Sequence, residues 1–357
     1  LENKMQKPTE VLNIFEKYTP RIDGEIKTLL AEQKGLLMYD MMSYFFGYPD
    51  EDLKETSKYG GKRFRSGICM LLADLYGNVD EALEVASSIE IFHNFTLIHD
   101  DIADGDLVRR GRATVWNKWG INHGINTGDA QLLLSTIELN KYITRNVTLG
   151  TRISEFIAKG YLKVAEGQFL DFRFSDLPLG SDELSEANTM EMIGKKSGIL
   201  VGIPAKCAGL LTGQSDQECE LLYEYGFNLG LAYQLADDLM SIWGNIEQSG
   251  KDELMDLYDK KKTLPIIYLY NYLEGEDKER LVELYSKTEK LTAEEVSYVK
   301  ALLDQAGAEK YLLAKALENV SIVESSIEKL SLAPEHKELL NTITRALLPN
   351  VCGGDAC

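Results

Sequence analysis

Between His93 and Trp116 the chain reads HNFTLIHDDIADGDLVRRGRATVW, with carboxylates at helical spacing and, nine residues after the first of them, two arginines. On a helix Asp100 and Asp104 share one face, with Asp101 turned from it by about 100°. Two carboxylates on one face repel unless something positive sits between them. A hard cation such as Mg²⁺ takes oxygen ligands and is held by one or two carboxylates plus substrate phosphates. Arg109 and Arg110 offer the forked donors that phosphate oxygens accept. The apolar residues ahead of the cluster, Ile91, Phe92, Phe95, Leu97 and Ile98, place that helix in a core, so the carboxylates close an apolar groove. A DDxxD string alone is more often a solvated helix face. The arginine pair, and a second acidic pair far downstream at Asp237 and Asp238, reverse that reading.

The second acidic cluster lies in AYQLADDLMSIWG, with Gln234 one turn before Asp238. Position i+4 from Asp237 is Ser241, so the two-carboxylate face is not repeated and a single metal ligand is expected here. Four basic clusters accompany the acidic ones. YGGKRFRS sets Lys62, Arg63 and Arg65 after a Gly pair at a predicted helix start, where backbone N–H groups favour anions. KKSGIL offers Lys195, Lys196 and Ser197, and GKDELMDLYDKKKTLP puts Lys251 and Lys261 around Asp256. EGQFLDF adds Gln168 and Asp171 on one face, and His93 is either a core histidine or a neutral donor to phosphate. Each has an ordinary reading as a solvated charge run or a basic turn. Together, in an acidic chain, they call for a ligand with two polyanionic groups.

The elements that must position these residues are helices. With eight prolines and little strand-like alternation, apolar residues recur near the helical period over 62–76, 81–104, 128–147, 152–174, 185–211 and 217–243. Gly-rich loops are expected at 59–61, 120–128 and 244–250, a polar break at 178–185, and shorter charged helices from Pro265 to Leu348. Helices of about 20 residues suit an all-α, single-domain bundle around a deep central cavity. The expected domain is 1–357, with a motif-bearing core over about 55–270 and a helical cap over about 271–350.

Composition narrows the class. The 357 residues carry 38 Lys+Arg against 57 Asp+Glu, a net charge of −19, which argues against nucleic acid or an anionic membrane surface as the main partner. Five cysteines with no CxxC disfavour a disulfide scaffold or a zinc site and suit a reducing cytoplasm. No apolar run reaches about 18 residues, so no transmembrane segment is expected.

In motif content and order, GGKRFR, HDDIADGDLVRRGRATVW, EGQFLDF, KKSG, YQLADD and GKDELMDLYDKKKTLP resemble the trans-isoprenyl diphosphate synthase (polyprenyl synthetase) family over roughly residues 55 to 270. The resemblance implies the isoprenoid synthase type I fold, a cytoplasmic homodimer and about three Mg²⁺ per site, shared between carboxylates and substrate phosphates. It implies that Asp100 and Asp104 hold Mg²⁺ on the allylic diphosphate, with Asp237 on a third ion and Asp238 acting through water. Arg109, Lys196, Gln234 and Lys251 would grip the allylic diphosphate. Lys62, Arg65, His93 and Arg110 would hold isopentenyl diphosphate, and Lys261 would lie near the diphosphates.

The chemistry fits. Breaking an allylic C–O bond creates a carbocation and a diphosphate leaving group, which metals and cations stabilise. The C=C of isopentenyl diphosphate then attacks and a proton is lost, with released diphosphate as the implied base. Ser197 stands where the family has Thr; its hydroxyl and the Gln234 carbonyl would stabilise cationic character.

The second motif departs from the family's DDxxD, reading DDLMS before IWGN. The span 237–245 also half-matches the second metal motif of class I terpene cyclases, with Ser241 as ligand and Asn245 as a poor final one. A cyclase, or a catalytically silent subunit of a heteromeric synthase, are the competing readings. The intact basic anchors favour chain elongation. Counting back from Asp100, Thr96, Phe92 and Ile89 lie near its face while Phe95 points aside. Resemblance makes an aromatic five residues before the first Asp typical of short-chain synthases, so Phe92, Phe95 and Thr96 are the expected chain-length residues. The expected product is geranylgeranyl diphosphate, from a dimethylallyl, geranyl or farnesyl primer.

Overall fold

In the computed structural model, residues 13–33, 35–50, 52–54, 56, 61–244, 254–348 and 351 are described. Lys251, Asn245 and most of the two loops expected at 59–61 and 244–250 lie outside them. The described chain is helical apart from one two-stranded hairpin. The helices are α1 (Thr19–Glu32), α2 (Leu37–Phe46), α3 (Phe64–Leu75), α4 (Leu83–Ala103), α5 (Val115–Trp119), α6 (Ile121–Arg145), α7 (Val147–Asp176) and α8 (Glu186–Ile193). A π-helical turn, Gly194–Gly198, leads into α9 (Ile199–Leu211) and α10 (Asp216–Trp243). Then come α11 (Met255–Tyr258), α12 (Leu264–Tyr272), α13 (Gly275–Tyr285), α14 (Ala293–Gln305), α15 (Ala308–Lys329) and α16 (Pro334–Leu347).

The chain forms two compact units. One comprises the described residues up to Ala158 with Pro204–Glu220; the other comprises Lys159–Ile203 and the chain from Leu221 onward.

In the first unit α4 packs along α6 and against α1 and α3. Ile89, Ile91, Phe92 and Ile98 on α4 are buried, as the apolar run predicts. The loop expected at 120–128 is instead the first two turns of α6. Its glycines serve close packing: a Cβ at Gly128 would come within 2.3 Å of the His99 ring, and one at Gly124 within 2.9 Å of Ile102. The glycines there let α6 lie against α4 and α5.

In the second unit, Leu257, Ile266, Leu269, Leu281, Leu284, Val299 and Leu303 build a core under α11–α14. The expected short helices after Pro265 include one of 22 residues, α15, whose Leu312, Ala316, Val320, Val323 and Ile327 form a continuous buried stripe. Among the described residues no helix is long and apolar enough to cross a membrane.

Candidate active site

The first acidic motif occupies the last turn of α4. Asp104 caps the helix, its N–H bonded to the Asp100 carbonyl at 2.8 Å, and Gly105 at φ +70° turns the chain away. A helix C-terminus carries about half a negative charge, so Asp100, Asp101 and Asp104 crowd a place that electrostatics reserves for cations. The donor set is all carboxylate oxygen, the kind of ligand a hard divalent ion takes. Among the described residues no three acidic, His or Cys side chains converge into a ready-made metal cage.

Asp101 has a different task. It is 1% exposed and accepts the Arg109 Nε hydrogen bond at 2.5 Å. Burial raises its pKa to about 6, against the opposing pull of Arg109. Asp106 is an exposed loop residue, and its carbonyl accepts from Thr114 Oγ1 and Trp116 Nε1.

Arg109 and Arg110 sit on a hairpin, β1 (Val108–Arg109) paired antiparallel with β2 (Arg112–Ala113). Its two-residue turn is Arg110-Gly111, with φ of +54° and +76°, the positive pair that primed hairpin turns require. The Arg110 guanidinium donates to the Phe45 carbonyl at 3.3 Å and lies 5.7 Å from the Phe45 ring. A Cβ at Gly61 would meet it at 3.3 Å, which is why a glycine suits that position of GGKRFR.

Next to this hairpin, Arg65 Nη1 donates to His93 Nε2 at 2.8 Å. Burial, then Arg65, Arg110, Arg109 and Arg63, push the His93 pKa well below its ordinary value. His93 is therefore neutral, with Nε2 as acceptor and the proton on Nδ1. Lys62 is exposed, one residue before the helix cap. Arg63, which the sequence groups with Lys62 and Arg65 as an anion site or a basic turn, is buried. Its Nε binds Asp23 at 2.8 Å, its Nη2 donates to the Phe46 carbonyl at 2.8 Å, and its Nη1 lies 3.6 Å from Glu90. Arg63 caps α3 at φ +50°, so this network holds a disfavoured backbone between Lys62 and Arg65. No local signal marks it, because Asp23 lies 40 residues upstream.

Phe92 is buried and meets Phe95 edge-on at 5.2 Å; Phe95 in turn meets His99 at 5.1 Å. Thr96 spends its hydroxyl on the His93 carbonyl one turn back.

In the second unit, Lys196 and Ser197 occupy the π-helical turn, where the Ile199 N–H reaches back to Gly194 O. Such turns widen a helix and are frequent at functional sites. The sequence pattern suggested one unbroken helix over 185–211; the pattern of apolar residues does not register a single inserted residue. Lys196 Nζ contacts Asp171 at 2.5 Å, joining two of the weaker sequence motifs. Lys195 turns instead to Glu166 and Glu191. Ser197 Oγ donates to Gln234 Oε1 at 3.0 Å, and Gln234 Nε2 donates to Asp238 Oδ1 at 3.1 Å. Burial raises the Asp238 pKa to about 7, with Gln234 opposing and Asp256 and Asp237 adding to the rise. Asp237 is half-buried beside it. Asp256, singled out only as lying between two lysines, is thus within electrostatic reach of Asp238 and 3.2 Å from Lys261. Ser241 turns its hydroxyl onto the Asp238 carbonyl of its own helix at 2.9 Å.

A helical chain with an acidic metal-type motif beside an arginine hairpin, and a second acidic motif braced by amide and hydroxyl, belongs to the class of diphosphate-processing helical enzymes. The chain is a member of the polyprenyl synthetase family, which matches residues 50–303. It is 33% identical over 298 residues to the geranylgeranyl diphosphate synthase of Methanosarcina mazei, covering 81% of this chain and 87% of that one. It is 32% identical over 296 residues to a (2E,6E)-farnesyl diphosphate synthase of Mycobacterium bovis, covering 82% and 80%. Its fold matches a crystal structure of a geranylgeranyl pyrophosphate synthase with a TM-score of 0.83 at 30% identity, over 94% of this chain and 98% of that one. The all-α isoprenoid synthase fold and a prenyl-transferring activity follow.

Proposed function

We propose that the protein condenses isopentenyl diphosphate with an allylic diphosphate and releases geranylgeranyl diphosphate as its main product. The observation that carries this reading is the acidic end of α4 with the Arg109–Arg110 hairpin tied to it through Asp101. Asp100 and Asp104 are the proposed Mg²⁺ ligands of that motif, Asp237 a ligand of the second, and Asp238 a carboxylate acting through water. Bound Mg²⁺ would supply charge neutralisation for the departing diphosphate.

The residues of this chain then divide the remaining work. Arg109, held by Asp101, grips the allylic diphosphate together with Lys196, Gln234 and Lys251. Lys62, Arg65, Arg110 and His93 hold isopentenyl diphosphate; neutral His93 donates an Nδ1–H hydrogen bond to the anion and keeps its proton, adding no charge. The chain Ser197–Gln234–Asp238 fixes the Gln234 amide so that its carbonyl oxygen stays aimed, and that oxygen favours cationic character in the transition state. Lys261 completes the basic set beside Asp256.

The relatives include both geranylgeranyl and farnesyl synthases, so product length rests on residues above the first Asp. Buried Phe92, followed one turn on by Thr96 and not by a further ring on the Asp100 face, favours the longer product. A homodimer is proposed from the exposed apolar residues of α6. The reading is tested with purified protein, Mg²⁺, isopentenyl diphosphate and each primer, the products read by mass. Geranylgeranyl diphosphate is expected. Hydrocarbon or alcohol would mean a cyclase, which the inward-turned Ser241 hydroxyl disfavours, and no turnover alone would mean a silent subunit.

A further inference from the structure

We propose that Arg112 and Tyr44 form a positioning pair that sets where the hairpin presents Arg109 and Arg110. The proposal rests on the diphosphate role given above to those two arginines.

A two-stranded hairpin is marginal by itself in water. This one is also frustrated: its register sets Arg109 opposite Arg112, and like charges directly across a strand pair repel. Its turn adds a further cost, because Arg110 adopts φ +54°, a conformation that side chains other than glycine rarely take. The hairpin therefore needs an anchor for each arginine of the opposed pair. Arg109 has Asp101 on α4. Arg112 has Tyr44 on α2.

The second anchor is the better buried. Arg112 is 6% exposed and Tyr44 1%. The guanidinium carbon lies over the Tyr44 ring, 3.5 Å from its centre, a cation–π contact that burial strengthens. Arg112 Nη1 donates to the Pro49 carbonyl at 2.8 Å, and the Tyr44 hydroxyl donates to the Ala113 carbonyl at 2.8 Å. Tyr44 thus grips β2 through its ring and through its oxygen. Trp119 also packs on Tyr44, the two rings meeting edge-on at 4.9 Å. Tyr44, Phe45 and the three arginines line one small pocket with room for about one water.

Neither Arg112 nor Tyr44 needs to touch a substrate for this to matter. A displacement of about 1 Å in a positioned group can cost up to about a hundredfold in rate. Arg110, at the turn between the two strands, moves with whatever β2 does.

The test is steady-state kinetics in both substrates, with thermal melts, on Arg112→Ala, Tyr44→Leu, Tyr44→Phe and the Arg112→Ala/Tyr44→Leu double variant, beside Arg109→Ala and Arg110→Ala. Arg112→Ala and Tyr44→Leu are each expected to raise KM for both diphosphates about tenfold, well below the geometric limit. The double variant is expected to be no worse than either single one, because the two side chains act as one unit. Tyr44→Phe, which keeps the ring, is expected within about threefold of the parent, the loss of one hydrogen bond. If Arg112→Ala does not fold, Arg112→Lys replaces it: a cation without the planar fork is expected to raise both KM values by a smaller factor. Unchanged KM values in Arg112→Ala, or in both Arg112→Lys and Tyr44→Leu, would overturn the proposal even if melting temperatures fall. Should Arg109→Ala and Arg110→Ala also leave KM unchanged, the diphosphate role itself fails and the positioning role with it.

Discussion

Carboxylates of one motif can have opposite duties, and we propose Asp101 and Asp104 as such a case. Asp104 is exposed at the helix end, whereas Asp101 is buried against Arg109. Asp104→Asn is expected to raise the Mg²⁺ concentration for half-maximal rate at least about tenfold, the scale on which ligand-shell changes act. Asp101→Asn should leave that concentration unchanged and instead lower kcat/KM for the allylic substrate, since it loosens Arg109. A Mg²⁺ titration of the two variants side by side decides it, and equal metal dependence would sink the division. Ser197→Ala removes the hydroxyl donated to Gln234 and is expected to slow turnover about three- to tenfold, one hydrogen bond's worth. Unchanged turnover would remove the Ser197–Gln234 chain from the mechanism. Phe92→Ala opens the buried floor of α4 and is expected to lengthen the product; if neither it nor Phe95→Ala alters the product mass, these rings do not measure the chain. That Asp100 and Asp104 share one helix end was legible from spacing alone, because spacing is a local property of a helix. The buried partnerships of Asp101 and Arg63 were not, because each depends on packing that brings distant segments together.

Among the elements, the π-helical turn at Gly194–Gly198 is the one most dependent on its neighbours. A Cβ on Gly167 of α7 would come within 2.6 Å of the Lys196 backbone nitrogen, and one on Gly230 of α10 within 2.9 Å of the Gly198 Cα. Backbone atoms cannot swing aside as a side-chain tip can. Gly167→Ala is therefore expected to destabilise by about 1–3 kcal/mol, the cost of overpacking, and to lower turnover by displacing Lys196. Gly24→Ala, in the middle of α1 with nothing within 4 Å, is the matched control and is expected to gain about 0.5–1 kcal/mol. Urea unfolding of both separates the two effects; a neutral Gly167→Ala would mean that α7 tolerates a wider spacing. The helices themselves were readable from periodicity, and so was the break before Ser185, which caps α8 through its side chain. The glycines at 124 and 128 misled for a physical reason. Glycine marks loops when backbone freedom is needed, but here it marks the close approach of two helices, and only the packing distinguishes those uses.

On the scale of the whole molecule, charge and apolar surface pull against each other. A net charge of −19 on each chain opposes self-association, most of all at low salt. Yet α6 carries Ile121, Ile125, Leu133 and Ile137, at 51%, 44%, 65% and 48% exposure, on one i+4 row whose middle position is the exposed Asp129. Rows of that spacing form the ridges by which helices interlock, and a two-fold axis would let the same row meet its copy. The apolar row has to outweigh the repulsion, and added salt shifts the balance in its favour by screening the charge while leaving the apolar contact intact. The proposed homodimer should therefore tighten as ionic strength rises from about 0.01 to 0.15 M, over which the screening length falls from about 30 to 8 Å. Leu133→Asp with Ile137→Asp puts two further negative charges on the row in each copy. Sedimentation at one protein concentration is expected to give a dimer for the parent and a monomer for the double variant, with melting of the isolated monomer little changed because both positions are exposed. A parent that sediments as a monomer at every salt concentration would refute the dimer, and a double variant that remains dimeric would move the interface away from α6.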